Sequence, residues 1–197
     1  MWKRWTRTQP EAETELSDEV LLPALARGEE SAFLVVYRRR QASIYRYALH
    51  LSGDPDVAAE VVQETFLSLL RDAGRLDASR GTVLSWLFAV ARNQVLKQLR
   101  GRRQHLSLED EEQDELVAGG CLVTELEQEQ LSSRLRETMA TLPPVYREVL
   151  VLCDMQELSY DEVAAIAGCP TGTVRSRLHR ARALLAGKLK PLVGIPS

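Results

Sequence analysis

Residues 158–182 read LSYDEVAAIAGCPTGTVRSRLHRAR, and this stretch decides the fold of the C-terminal part of the chain. Ser159 followed three residues later by Glu162 predicts a capping box at the start of a short helix. Gly168 is suited to end that helix, a nearby proline prevents its continuation, and Thr171 can cap a second helix. Two helices joined by so tight a turn are typical of a DNA-binding helix-turn-helix.

The second helix of this motif has an apolar stripe and a basic face. At about 100° per residue, Val174, Leu178, Ala181 and Leu185 share one side. Residues 171–190 contain six Lys or Arg and no acidic residue, and Arg, Ser and His can bond phosphates or base edges. We therefore predict a DNA-reading set of Thr171, Thr173, Arg175, Ser176, Arg177, His179, Arg180 and Arg182. The alternative is a solvated basic face on an ordinary helix, against which the attached turn and caps argue.

Composition favours helices, and the charges are segregated along the chain. The 197 residues suffice for one ordinary domain or two small ones, and 45% of them are hydrophobic. Leu, Ala, Val, Glu and Arg dominate while aromatics are few, which favours helix over sheet. The net charge of −3 hides a basic zone at 78–108, with six Lys or Arg, and an acidic run at 109–115, with six acids.

The cysteines and the N-terminus carry no signal for a cofactor, a metal or export. Cys121, Cys153 and Cys169 form no CxxC pair and have no His at zinc spacing. Free thiols are the expected reading, with redox or metal sensing as the alternative. A secretory signal and a membrane-spanning run are also lacking, so we expect a soluble cytoplasmic protein.

Helical periodicity runs through most of the chain and predicts an all-α fold of two small domains. Four helices are expected at about 17–28, 30–51, 54–73 and 82–100, and further helices at about 124–142 and 145–154, before the helix-turn-helix. The predicted division is a tail at 1–16, a four-helix domain at 17–103, a flexible acidic linker at 104–124, a helix-turn-helix domain at 125–190 and a tail at 191–197.

The third predicted helix has an unusual polar side. Its apolar side carries Val57, Val61, Thr65 and Leu69. The opposite side carries Arg71 and, in its acidic part, Asp56, Glu60, Gln63 and Glu64 with Leu67 among them. We call these last five residues the acidic face. An acidic surface with one exposed Leu suits a basic partner with an apolar pocket. The alternative is an ordinary solvated face.

The fourth predicted helix carries Trp86, Asn93, Lys97 and Arg100 in one line, here called the basic strip. Bases and an amide in this arrangement suit a nucleic-acid backbone. The preceding loop, with Ser79 and Arg80, is polar enough to receive an unstacked base. Taken alone, Trp86 is better explained as a core residue than as a stacking platform for a base.

Motifs in two separated segments resemble one family. VVQETF at 61–66, WLF at 86–88 and RN at 92–93 resemble the promoter-melting domain of bacterial sigma factors. LP at 142–143, YREV at 146–149, LSY at 158–160 and GTVRSR at 172–177 resemble the C-terminal domain of the same proteins. The whole pattern resembles the small extracytoplasmic-function class of the sigma-70 family, over residues 17–103 and 125–187.

The resemblance implies a role for each surface. The acidic face would dock on the β′ clamp helices of core RNA polymerase, and the loop and basic strip would capture a flipped base and hold the melted minus-ten strand. Arg175, Ser176, His179 and Arg180 match the minus-thirty-five readers, in a domain that would sit on the β flap. Cys153 and His179 depart from residues that are often basic and aromatic there. The acidic linker would thread the polymerase, and a separate anti-sigma factor is the expected regulator.

Three other readings remain open at this point. A one-component regulator would use the same helix-turn-helix on duplex DNA, but it leaves the acidic face and the basic strip unexplained. An enzyme is disfavoured because the sequence has no Ser/His/Asp cluster, metal spacing or phosphate loop. A sigma mimic that sequesters an anti-sigma factor would not need basic faces on both domains.

Overall fold

The computed structural model describes residues 16–77, 81–106 and 135–193, and all regular structure in these ranges is helical. The expected all-α fold is confirmed. The helices are α1 (Asp18–Ala26), α2 (Glu30–Ser52), α3 (Pro55–Asp72), α4 (Val83–Leu106), α5 (Pro144–Leu150), α6 (Tyr160–Ala167) and α7 (Thr171–Val193). Residues 135–140 are also helical, a short 3-10 turn covers Ala73–Arg75, and a π turn covers Val151–Met155.

The ends of α3 and α6 follow the local signals in the sequence. The Asp54 side chain accepts hydrogen bonds from the backbone N–H groups of Asp56 and Val57, at 2.7 and 3.1 Å, and thereby caps α3. Gly53 before it has a φ of 74°, which a residue with a Cβ adopts at a cost. Both halves of the capping box between Ser159 and Glu162 are formed at the start of α6.

Two helices extend further than the sequence predicts. The fourth helix was expected to end at Arg100, but α4 continues to Leu106, since a single Gly101 costs only about 1 kcal/mol within a helix. The tail expected from residue 191 is helical to Val193.

The N-terminal core lies between α2, α3 and α4. Its largest fully buried side chains include Ile44, Tyr47, Leu69, Leu87 and Phe88. Helix α1 is fastened to α2 through Asp18, which is only 2% exposed and pairs with the guanidinium groups of Arg39 and Arg40 at 2.5 and 2.6 Å. This attachment matters for the site because α1 borders the start of α4.

The C-terminal core lies between α5, the π turn, α6 and α7. Val149, Leu152, Val163, Val174 and Leu178 are buried there, and the last two come from the apolar stripe predicted for the second helix of the motif. This half packs directly on the first one, through contacts of α5 with α2 and of α6 with α4. The described parts of the two predicted domains are therefore in contact.

Candidate nucleic-acid and polymerase interfaces

The outer side of α7 presents four members of the predicted DNA-reading set to solvent. Arg175, Ser176, His179 and Arg180 are exposed, whereas the apolar stripe beneath them is buried at Val174, Leu178 and Ala181 and half-buried at Leu185. The start of α7 follows α6 after a turn in which Gly168 has a φ of 63°. A basic helix held in this way by a preceding short helix has the geometry of a major-groove reader.

Two tyrosines hold arginines of α7 in place. The guanidinium carbon of Arg175 lies 5.7 Å from the centroid of the Tyr160 ring, within the range of a cation–π contact. Arg180 donates a hydrogen bond of 3.4 Å to the hydroxyl of Tyr146. Both tyrosines belong to the sequence motifs YREV and LSY, but their contacts with arginines are not predictable from the helical pattern of α7, because they lie on other helices, 15 and 34 residues away.

Three other members of the predicted set are engaged within the protein. Arg182 donates two hydrogen bonds to the carboxylate of Asp154, at 2.9 and 2.6 Å, so its charge is already paired. Arg177 is half-buried beside the sulfur of Cys169.

Thr171 was predicted to cap the second helix from outside it, but Thr171 is itself the first residue of α7. The hydroxyl of Thr171 instead donates to Asp161 at 2.9 Å and ties the two helices of the motif together. Thr173, the remaining member of the set, is half-buried in the first turn.

The thiol of Cys153 lies next to the Asp154–Arg182 pair and is half-buried. The pKa of this thiol is raised to about 11, mainly by burial and secondly by the nearby Asp154 carboxylate. A neutral thiol therefore occupies a position where the resemblance suggested a basic residue.

The acidic face is exposed and borders an apolar groove. Asp56, Glu60 and Gln63 are exposed, Glu64 is half-buried, and Leu67 is 42% exposed. The groove has a volume of about 330 Å³, and its lining is Phe33, Tyr37, Ala59, Val62, Gln63, Phe66, Leu67 and Leu70. Leu70, 50% exposed, is a second apolar side chain at this edge that the sequence pattern did not single out.

An aromatic cluster forms the floor of this groove. The rings of Tyr37 and Phe66 meet edge to face with centroids 4.8 Å apart, and Phe33 lies 5.9 Å from Tyr37. At the other end of the acidic face, Glu60 accepts a hydrogen bond of 2.5 Å from the side chain of Gln98 on α4. The face thus combines exposed acids with a preformed apolar recess, which suits a partner that is basic and apolar together.

The basic strip lies on α4 as predicted, with Asn93, Lys97 and Arg100 exposed along it. These three residues line an open groove of about 550 Å³. Trp86, the fourth member, is half-buried and packs on the core. It also lines the recess at the start of α4, so it can act both as a core residue and as part of a base-binding site. Ser79 and Arg80 lie outside the described residues.

A separate recess lies at the start of α4, beside the predicted base-capturing loop. It has a volume of about 260 Å³, and its lining is Leu22, Arg75, Leu76, Asp77, Gly81, Thr82, Val83 and Trp86. A recess lined by both apolar and polar side chains is the kind of site that can hold one unstacked base.

Helix α1 supplies a cap for α4 that the sequence did not reveal. The carboxylate of Glu19 accepts a hydrogen bond of 3.1 Å from the backbone N–H of Val83, the first residue of α4. Burial alone would raise the pKa of Glu19, but hydrogen bonds from the backbone of Glu19 and Val83 outweigh it, and the pKa is lowered. Because Glu19 and Val83 are 64 residues apart, only the tertiary packing brings them together.

The described residues contain no helix that is long and apolar enough to cross a membrane. They also contain no cluster of three His, Cys, Asp or Glu side chains able to hold a metal ion.

Comparison with known proteins gives consistent matches along the chain. The sequence matches the families described as Sigma-70 region 2, over residues 36–105, and Sigma-70, region 4, over residues 132–185. The ECF RNA polymerase sigma-E factor of Salmonella typhimurium is 37% identical over 194 residues, covering 91% of this chain and 97% of that protein. The sigma factor SigE of Mycolicibacterium smegmatis is 34% identical over 148 residues, covering 74% of this chain and 56% of that protein.

Two solved structures share the arrangement of helices. CnrH, in complex with the cytosolic domain of CnrY, superimposes with a TM-score of 0.66 at 26% identity, covering 88% of this chain and 97% of that one. The sigma factor RpoE of Bartonella quintana, in complex with the anti-sigma factor NepR, gives a TM-score of 0.62 at 26% identity, covering 87% and 93%. Both likenesses extend over the two halves of the chain.

Proposed function

The chain belongs to the extracytoplasmic-function class of the sigma-70 family, and from this premise we propose how its surfaces divide the work of a sigma factor. A member of this class binds core RNA polymerase and directs promoter-specific initiation of transcription. The resemblance read from the motifs is confirmed. The residues that perform each step are our proposal.

We assign duplex reading of the minus-thirty-five element to α7. Arg175, Ser176, His179 and Arg180 are the exposed members of the predicted set that no carboxylate pairs within the described ranges, so base contacts fall to them. Arg182 is bound to Asp154, and in this role it would orient the helix rather than contact DNA. The helix-turn-helix half would rest on the β flap of the polymerase.

We assign the melted minus-ten strand to α4 and the loop before it. Asn93, Lys97 and Arg100 provide a positive and amide-bearing path for the strand. The recess beside Trp86 is the proposed receptor for a flipped base. Phosphate contacts of this kind give affinity that falls as salt rises, whereas the flipped base gives selectivity.

We assign core polymerase docking to the acidic face and its groove. Glu60, Gln63 and Asp56 would meet basic residues of the β′ clamp helices, while the groove beside Leu67 and Leu70 would receive an apolar side chain. Both structural relatives, CnrH and RpoE, were solved with CnrY and NepR, the second of which is an anti-sigma factor. A regulator of that kind is our proposed partner for this chain.

The observation that best supports this division is that α4 and α7 each present an exposed basic surface, while a separate apolar groove lies between α2 and α3. We further propose that the chain acts in the cytoplasm and has no catalysis of its own. A one-component regulator would need only α7, so the groove and the basic strip favour the sigma-factor division.

Reconstituted transcription tests the proposal. The purified chain is mixed with core polymerase and with its own upstream DNA, and the expected result is a specific transcript that needs both proteins. Changing Gln63 and Leu67 to Ala and Asp should abolish polymerase binding. Changing Arg175 and Arg180 to Ala should remove promoter choice and leave polymerase binding intact. Identical behaviour of the two double variants would refute the division of labour.

A further inference from the structure

The start of α4 holds a carboxylate that belongs to the other half of the chain. Glu162, on α6, accepts hydrogen bonds from the hydroxyls of Thr82 and Ser85, at 3.1 and 2.9 Å. Ser85 is only 8% exposed, and its hydroxyl is also within 2.8 Å of the Thr82 hydroxyl. Burial would raise the pKa of Glu162, but hydrogen bonds from Ser159, Ser85 and Thr82 outweigh it and lower the pKa, so the group is an anion at neutral pH.

A second carboxylate joins the same two halves. Glu148 on α5 is 7% exposed and binds the guanidinium of Arg92 at 2.5 Å and the hydroxyl of Tyr47 at 3.4 Å. Within the described ranges, both partners of Glu148 come from the N-terminal half. Arg147 adds two hydrogen bonds of 3.3 Å to backbone carbonyls at the end of α2. We call these interactions, with those of Glu162, the closed contact.

The closed contact is incompatible with simultaneous reading of both promoter elements. Elements centred 25 base pairs apart lie roughly 85 Å apart along B-form DNA, at 3.4 Å per base pair. In the closed contact, Glu162 touches the start of α4, and its neighbour Asp161 accepts a hydrogen bond from Thr171 at the start of α7. The two readers must therefore separate. The 28 residues from 107 to 134 could span roughly 95 Å if extended, which is enough.

The chemistry of the Glu162 position resembles that of a phosphate site. The N–H groups of Val83 and Ser85 are already bound by Glu19 and by the Thr82 hydroxyl. The dipole of α4 still favours an anion at this end, and hydroxyl donors are common partners of phosphate oxygens. Here the site is more than a helix end. The buried hydroxyl of Ser85 and the adjacent hydroxyl of Thr82 already bind a carboxylate, that of Glu162, which comes from the other half of the chain. The site also lies at the start of α4, the helix that carries the basic strip.

We propose that Thr82 and Ser85 bind a backbone phosphate of the melted minus-ten strand, and that Glu162 occupies this phosphate position while the chain is closed. The inference rests on the strand-binding role proposed for α4 and adds the atoms that recognise the strand and the group that competes with it. Opening on polymerase frees the position for DNA. Binding of the strand and closure of the chain are then mutually exclusive.

Single-strand binding by the full chain, without polymerase, tests the competition. The probe is a fluorescein-labelled 12-mer of mixed sequence, followed by anisotropy, and solution scattering reports the radius of gyration. Glu162→Gln should raise affinity about tenfold, a typical coupling between exclusive states, and should increase the radius. Adding Thr82→Val and Ser85→Ala to that variant should remove the gain.

The matched control is Glu157→Gln, which removes the same charge at an exposed position five residues away. It should leave the radius unchanged and improve binding less than twofold. Equal gains from Glu157→Gln and Glu162→Gln would refute the competition, since they would reflect net charge alone. A gain that survives loss of both hydroxyls would refute the phosphate site.

The second half of the closed contact provides an independent check. Glu148→Gln and the reciprocal Arg92→Gln approach the same ion pair from opposite domains, so one of them remains informative if the other fails to fold. Each should increase the radius and the affinity for the 12-mer, whereas an unchanged radius in a folded variant would overturn the closed contact. Lack of promoter-specific transcription by the wild type would instead refute the proposed function, without affecting these measurements.

Discussion

Replacing Asp18 by Asn should loosen α1 and, through it, the start of α4. Asp18 is 2% exposed and pairs with Arg39 and Arg40, whose side chains are 23% and 28% exposed. Breaking a fully buried ion pair costs about 3–5 kcal/mol, but these two guanidinium groups retain some water. We therefore expect a loss of about 2–3 kcal/mol in the free energy of unfolding, or about 5–10 °C in Tm.

Thermal and urea unfolding followed by circular dichroism measure this loss. Asp56→Asn is the matched control, because it removes the same charge from the first turn of an exposed helix end and should cost less than about 1 kcal/mol. Equal destabilisation by the two changes would refute the view that the buried pair fastens α1.

A functional consequence separates this role from general instability. Helix α1 carries Glu19, which binds the N–H of Val83, and Leu22, which lines the recess beside Trp86. Below the Tm of the variant, Asp18→Asn should reduce formation of the open promoter complex, measured by permanganate footprinting, more than duplex binding at the minus-thirty-five element. Parallel loss of both would show that α1 does not position the minus-ten site.

Four further outcomes are expected. Tyr160→Leu should weaken promoter binding two- to fivefold in filter or gel assays, because the cation–π contact that orients Arg175 is worth about 0.5–1 kcal/mol, whereas Tyr160→Phe should not. Leu70→Asp should weaken core polymerase binding at least tenfold in a pull-down titration, since a buried Leu contributes about 1.5–3 kcal/mol. Burial, and then nearby arginines, lower the pKa of His50, so unfolding free energy should fall as pH drops below about 6.5, and His50→Gln should flatten that slope. Cys153, whose pKa is about 11, should alkylate about a hundredfold more slowly at pH 8 than an ordinary thiol, by mass spectrometry.

Each of these outcomes can also fail in a defined way. Equal effects of Phe and Leu at position 160 would contradict a role for the ring face. Unchanged polymerase affinity after Leu70→Asp would place the docking surface elsewhere. The lowered pKa of His50 predicts the loss of stability at low pH because the unfolded chain binds the proton at a higher pH than the folded chain. If stability still falls as steeply with pH after His50→Gln, His50 is not the cause. Rapid alkylation of Cys153 in the folded protein would contradict its burial.

Helix boundaries and buried stripes were predictable because their signals are local. Capping by Asp54 and Ser159, and left-handed ends at Gly53 and Gly168, depend on residues within four positions of one another. The predicted end of α4 was wrong because it depended on Gly101 alone. One glycine is too weak a signal to stop a helix whose following residues are good helix formers.

Function was predictable at the level of surfaces but not of single side chains. The outer side of α7 is basic in projection, yet Arg182 is bound by Asp154 and Arg177 is half-buried, so fewer arginines are available to contact DNA than the pattern suggests. Asp154 precedes Arg182 by 28 residues, and nothing in the helical period of α7 points to it. The groove beside Leu67 depends likewise on Phe33 and Tyr37, which come from a different helix.

The sequence by itself determined that this protein is helical, that it carries a helix-turn-helix and that it has two basic surfaces and one acidic face. These properties follow from periodicity, caps and charge runs, which act over a few residues. Only the tertiary structure decided which charges remain available and where the two halves meet. Glu162 reaches Ser85 across 77 residues and Glu148 reaches Tyr47 across 101, because packing of the two cores brings these groups together. The helix-turn-helix that decides the fold also supplies, in Glu162, the group proposed to close the chain.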